Sequence, residues 1–195
     1  MFANRYTAFA DACALVGVLK RNLLLTLAEA EFFRLRWSQP VLDETEKAIA
    51  AILLERGIAN AAAEAASQRA RMEAAFEEAM VTDFERLMGI CGLPDPKDAH
   101  VLAAALKTQA ATLVTDNLKD FPQDLLNDLN IEARSTDAFL ADTIALDAGR
   151  AVAAIRRMRT RFKRPEMSPE RLLIAMEAAG LTETVDMLRP HQLSL

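Results

Sequence analysis

Five acids and one amide fall where chain geometry can gather oxygen ligands: Asp11, Glu44, Asp98, and the run Asp116, Asn117 and Asp120. Carboxylates brought close together repel one another unless a cation neutralises them. An all-oxygen set without a His or Cys cluster selects Mg²⁺ or Mn²⁺ over zinc. Singly, each residue has an ordinary structural role: Asp98 opens a helix and favours its dipole, Asp11 forms a turn, and Asp120 is a solvated loop acid. Their joint placement carries the functional reading.

That placement depends on the elements between them. Aromatic and β-branched residues from Tyr6 to Ala10 predict a strand that stops at Asp11, and "ATLV" predicts another that stops at Thr115. Glu44 follows "QPVLD" and Asp98 follows "LPDPK", both in first helical turns. Strands separated by helices imply a parallel sheet covered on both faces. Ligands of such a sheet sit at the carboxyl ends of its strands.

Apolar spacing predicts a helix over Leu15–Phe33 with Leu19, Leu23, Leu24, Leu27 and Ala28 inward. Arg36 and Trp37 read as an edge strand or a loop. Ser38 caps a next helix with Pro40 in its first turn and Val41, Leu42, Ile49, Ile52 and Leu53 as its apolar stripe. Asn60 to Met80 is rich in strong helix formers and reads as one exposed, lid-like helix. Its Met72, Phe76 and Met80 suit core packing or a partner or homodimer surface. Asp95 as N-cap and Pro96 at the first position start the helix that buries Val101, Leu102, Ala105 and Leu106. "DLLNDLNIEARS" gives a short helix and a last strand near Ile131. A boundary falls near Asp137, dividing residues 1–138 from a helical extension over 139–195. That extension reads as one long helix from Phe139 to Phe162, then a second from Pro169, capped by Ser168 and stopped by Gly180.

The 195 residues, 52% hydrophobic and 26% charged, are ordinary for a globular protein. Cys13 and Cys91 lack a C-x-x-C spacing and read as reduced core thiols. Asp11 interrupts the apolar centre a signal peptide would need, and no run approaches the ~20 apolar residues of a spanning helix. A soluble cytoplasmic protein is expected. The net charge of −5 argues against a general nucleic-acid binder. Yet Arg150, Arg156, Arg157, Arg159, Arg161, Lys163 and Arg164 form a stretch without any acid. Such a helix either neutralises phosphates or is a solvated helix end. No G-x-S-x-G elbow, P-loop or Cys-His pair is present. His100 reads as a packing or hydrogen-bonding residue, and His191 is uninformative.

"TAFAD", "VLDE", "LPDPKDAHVLAAAL" and "LVTDNLKDFP" occur in an order that resembles the PIN-domain ribonucleases, especially the VapC-like toxins of bacterial toxin-antitoxin modules. The similarity runs from about Thr7 to Ser135. It implies a PIN-like three-layer α/β sandwich, a parallel sheet flanked by helices, here with a helical C-terminal extension. It further implies that Asp11, Glu44, Asp98 and Asp120 are the metal-binding acids, with Thr115 and Asn117 as polar partners. Asp43 and Glu46 are alternatives to Glu44, and Asp116 occupies a more variable position that points away from the site. The implied activity is RNA hydrolysis by a water activated with Mg²⁺ or Mn²⁺. The implied partners are RNA and a cognate antitoxin, either of which the Arg156–Arg164 cluster could meet. Two rivals remain open: a phosphoacceptor receiver domain, which would want an acidic pair where Asp11 stands alone, and a catalytically silent PIN-fold module that binds RNA or protein.

Overall fold

Thr7–Ala10 forms β1, and all four of its residues are buried, as expected for a strand covered on both faces. The computed structural model describes residues 6–90, 92–163 and 166–195. There β2 (Arg34–Ser38) and β4 (Thr112–Val114) flank β1, while β3 (Met80–Val81) and β5 (Glu132–Arg134) close the two edges. The sheet is wholly parallel in the order β3-β2-β1-β4-β5. The chain builds outward from β1 in one direction to β3, then returns to β4 on its other side. The switch in direction opens a crevice at the carboxyl ends of β1 and β4. Asp11 and Thr115 are the residues that follow those two strands.

Parallel neighbours require crossovers, and helices supply them. α1 (Ala12–Val16) and α2 (Val18–Glu29) follow β1, and α3 (Gln39–Glu55) and α4 (Ala61–Ala75) follow β2. α5 (Ala99–Lys107) leads into β4 and α6 (Gln123–Asp128) into β5. α7 (Thr136–Leu146), α8 (Ala148–Thr160), α9 (Pro169–Ala178) and α10 (Thr182–Leu188) complete the chain. α5 lies against β1 and β2, and α2 packs on β2, α7 and α8. Phe9, Trp37 and Leu113 of the sheet are fully buried, and one apolar cluster joins them to Leu140, Ile155, Leu172 and Leu188 of the C-terminal helices. α7 therefore crosses position 138 as part of that shared core.

Four details differ from the expected elements. The helix expected over Leu15–Phe33 starts earlier, at Ala12, and breaks at Gly17. Glycine is a poor helix former, and the buried Arg21 donates to the carbonyls of Leu15 and Val16 released at the break. β2 is no edge strand, because Trp37 and Ser38 pair with Met80 and Val81 of β3. The long helix over Asn60–Met80 ends at Ala75. Phe76 leaves helical geometry (φ −134°) and sets its ring edge-on to Trp37, centroids 5.9 Å apart, so tertiary packing overrides helix propensity. Finally, Asp147 divides Phe139–Phe162 into α7 and α8, its side chain capping α8 through the Arg150 N–H at 2.9 Å.

Candidate metal and RNA site

Asp11 is at once the residue after β1 and the N-cap of α1. Its N–H continues the sheet to the Val114 carbonyl at 3.0 Å, and its Oδ1 accepts from the Ala12 N–H at 2.6 Å. Oδ2 accepts from the Thr115 hydroxyl at 2.8 Å, so the carboxylate spans the β1–β4 crevice. Thr115 is fully buried, and its Oγ1 also accepts from the Asn117 N–H at 3.1 Å. The Asn117 amide in turn donates to Asp120 Oδ2 at 2.6 Å. One chain of hydrogen bonds thus runs Asp11–Thr115–Asn117–Asp120.

Asp98 enters from the other side. Asp95 caps the short 3-10 turn Pro96–Asp98 through the Lys97 N–H, and Asp98 is the residue from which α5 starts. Burial, followed by the charges of Asp11, Asp120 and Asp95, pushes the Asp98 carboxyl above its ordinary value; His100 partly offsets this. Three acids from three separate segments therefore share one field of surplus negative charge. Glu44, exposed on α3, reaches across to α5, where its Oε1 lies 3.1 Å from His100 Nε2.

The neighbouring acids are engaged elsewhere. Arg69 of α4 takes Asp43 at 2.6 Å and Glu46 at 2.9 Å. Asp116 accepts from Lys20 Nζ at 2.6 Å and from the Thr136 N–H at 2.9 Å. Burial raises the Asp116 carboxyl, but these donors outweigh it and hold the group below its ordinary value. Asp116 thereby ties β4 to α2 and to the start of α7.

Cys13 lies beside this network as a half-buried free thiol. It donates to Asp11 Oδ2 at 3.1 Å and accepts from the Asp116 N–H at 3.1 Å. Burial, then the charge of Asp11, pushes its thiol up to about 12, so it stays protonated and serves as a donor rather than a nucleophile. The sequence places Cys13 in the core; the structure puts it at the site. Neither Cys13 nor Lys20 carries a sequence signal for this. Cys91 lies outside the described residues.

The donor chemistry fits a hard divalent cation: carboxylate, hydroxyl and amide oxygens, with excess negative charge around Asp98. Among the described residues, no three His, Cys, Asp or Glu side chains stand close enough to chelate an ion as they are. The fit is one of charge and ligand type. Replacing Thr115 by Val removes the hydroxyl that holds Asp11 while keeping the shape. For a divalent ion held through Asp11, Thr115→Val is expected to weaken binding, read with Mn²⁺, about 10- to 100-fold, as loss of a group that orients a metal ligand typically does; titration calorimetry checks it.

The basic stretch is only partly free. Arg150 stacks over Phe32 at 4.1 Å, Arg159 donates to the Met167 carbonyl, and Arg161 pairs with Glu29 at 3.6 Å. Arg156 and Arg157 are exposed on α8 and enter no ion pair among the described residues, and Lys163 is also exposed. Arg164 lies outside the described residues. No described helix is long and apolar enough to cross a membrane.

The family model described as PIN domain matches residues 8–119, and the one described as VapC50 C-terminal domain matches residues 136–190. The protein named "Putative ribonuclease VapC50" from Mycobacterium tuberculosis (strain ATCC 25618 / H37Rv) is 41% identical over 80 residues, 41% of this chain and 47% of that protein. The match thus spans about half the length of that curated relative. No solved structure matches. With the PIN-domain match covering more than half of the chain, from β1 through the Thr115–Asn117 turn, this chain belongs to the PIN-domain family.

Proposed function

We propose that this chain is a divalent-metal-dependent endoribonuclease, the toxin of a toxin-antitoxin pair, acting in the cytoplasm. The observation that supports this is the hydrogen-bond chain that joins Asp11 to Asp120 through Thr115 and Asn117 at the ends of β1 and β4, with the charges of both acids helping to raise the Asp98 carboxyl. Asp11, Glu44, Asp98 and Asp120 would hold Mg²⁺ or Mn²⁺, with Thr115 and Asn117 orienting Asp11 and Asp120 through the bonds described. A bound divalent ion supplies an activated water and neutralises charge on the phosphate. The chain supplies the rest. Thr115 keeps Asp11 turned into the crevice, Asn117 keeps Asp120 beside it, and Arg69 keeps Asp43 and Glu46 out of it. The relative's printed name, a ribonuclease, supports RNA as substrate.

Residues 1–138 would form the nuclease unit and 139–195 an extension that meets RNA or the antitoxin. Arg156, Arg157, Arg159, Arg161, Lys163 and Arg164 are the proposed binding residues, with Arg156 and Arg157 the least engaged. Arg156→Glu combined with Arg157→Glu is expected to weaken RNA binding and to flatten its salt dependence by roughly 0.7 in slope for each phosphate that is no longer neutralised. An unchanged slope in filter-binding measurements assigns the patch to a protein partner.

The chemistry itself is tested at the cut ends of the RNA. Attack by a water opens the phosphodiester without a cyclic product. Mapping the ends should find a linear phosphate and a free hydroxyl. A 2′,3′-cyclic phosphate would mean that the RNA's own 2′-hydroxyl attacks, and would overturn the water mechanism. RNA that is bound but never cut would leave a silent binding module instead.

A further inference from the structure

Three acids lie in the N-terminal half of α3, beyond the first turn in which Glu44 was expected because the helix already starts at Gln39, and the structure treats them differently. Asp43 and Glu46 are tied to Arg69 of α4. Glu44 is left over, with its side chain 53% exposed, and its protein partner among the described residues is His100. His100 stands on α5 two residues after Asp98, and its side chain is only 12% exposed. Its other ring nitrogen, Nδ1, is buried without a hydrogen-bond partner among the described residues. A histidine serving the core would satisfy that nitrogen; among the described residues, this ring directs its polar contact at Glu44. An ionised carboxylate only accepts, so Nε2 carries the hydrogen. The bond uses Glu44 Oε1 and leaves Oε2 without a protein partner among the described residues. A long exposed side chain otherwise loses rotamer freedom when it is fixed on a ligand.

We infer that His100 is a positioning residue for the proposed metal site: its Nε2–H fixes the Glu44 carboxylate on the α5 side of the crevice, so that α3 contributes Glu44 rather than Asp43 or Glu46. This deepens the function proposed above and rests on it. Groups that orient a metal ligand from behind are worth about 10- to 100-fold in metal affinity.

The test is calorimetric titration of Mn²⁺, without RNA, into the full chain and its variants. His100→Ala should raise the Kd for Mn²⁺ by about 10- to 100-fold. His100→Gln, whose amide N–H can occupy the place of Nε2–H, should restore most of the loss. In a Glu44→Gln background, His100→Ala should add nothing further, as coupled partners require. Equal Kd values for wild type and His100→Ala would overturn the inference, as would a His100→Gln variant no better than His100→Ala. Loss of RNA cleavage with unchanged Mn²⁺ affinity would assign His100 to the substrate and overturn it too. A wild type that binds no Mn²⁺ would remove the metal reading itself, an outcome distinct from all of these.

Discussion

Asp98→Asn is expected to lower RNA cleavage on the order of 100-fold or more, since it removes a proposed ligand rather than a group behind one. The same substitution is expected to leave the metal-free protein at least as stable at pH 7 as the wild type. The sign follows from the raised carboxyl of Asp98, caused by burial and then by Asp11, Asp120 and Asp95. A carboxyl whose folded pKa lies above its unfolded value contributes stability that is fully present below the unfolded pKa. That stability is lost as pH rises through the folded pKa. At pH 7 the ionised Asp98 is therefore a liability that Asn removes. The melting difference between variant and wild type should grow from pH 4 to pH 7 when no divalent ion is present. By the same linkage, divalent ions should stabilise the wild type more at pH 7 than at pH 5, and the variant little at either.

Asp116→Asn supplies the opposite sign. Its lowered carboxyl contributes stability above the unfolded pKa that is lost as pH falls through the folded one. Screened by solvent, its bonds to Lys20 and Thr136 should be worth about 1 kcal/mol or less, roughly 2–4 °C at most for a chain of this size. Differential scanning calorimetry of both variants at pH 7 should thus move in opposite directions. An Asp98→Asn protein that melts several degrees below wild type at pH 7 would mean that the acids do not crowd one another.

Asp137→Ala is expected to cost roughly 2–4 kcal/mol and to release the C-terminal helices first. Asp137 lies on α7 and is buried, and its carboxylate accepts from the N–H groups of Glu183 at 2.9 Å and Thr184 at 2.8 Å. The Thr182 hydroxyl adds a third bond at 3.3 Å. It therefore caps α10 from another helix, a role that Leu181, at the cap position in sequence, has no side-chain polar group to fill. Hydrogen exchange should show α10 losing protection while β1 and β4 keep theirs. Uniform loss across the sheet would mean that the C-terminal helices and the sheet unfold as one unit.

The sheet and the site segments were legible in the sequence because each carries a local signal. β1 and β4 are apolar runs that stop at oxygen-bearing residues, and Asp95–Pro96 announces a helix start by side-chain chemistry alone. What was not legible depends on neighbours distant in sequence. The end of α4 is set by the ring of Trp37 on another element, and β2 becomes an inner strand only because Met80 and Val81 return to pair with it. The break at Asp147 did carry a signal, an aspartate two residues before Gly149, but the apolar residues of α7 before it and the apolar stripe of α8 after it obscured it. At the site, Asp116 stands two residues after β4 and is suited by position to hold a ligand, yet Lys20, 96 residues away, claims it. The choice among Asp43, Glu44 and Glu46 likewise waits on Arg69 and His100, neither of which is adjacent in sequence.

Metal-dependent cleavage by these acids is tested by incubating the purified chain with RNA in Mg²⁺ or Mn²⁺, then with excess chelator, then with the ion restored. Cleavage is expected, with its loss on chelation and its return on readdition, and Asp98→Asn should cut on the order of 100-fold or more slowly than wild type whenever the ion is present. Cleavage that persists in chelator, or that Asp98→Asn retains at the wild-type rate, would contradict a metal site built on Asp98.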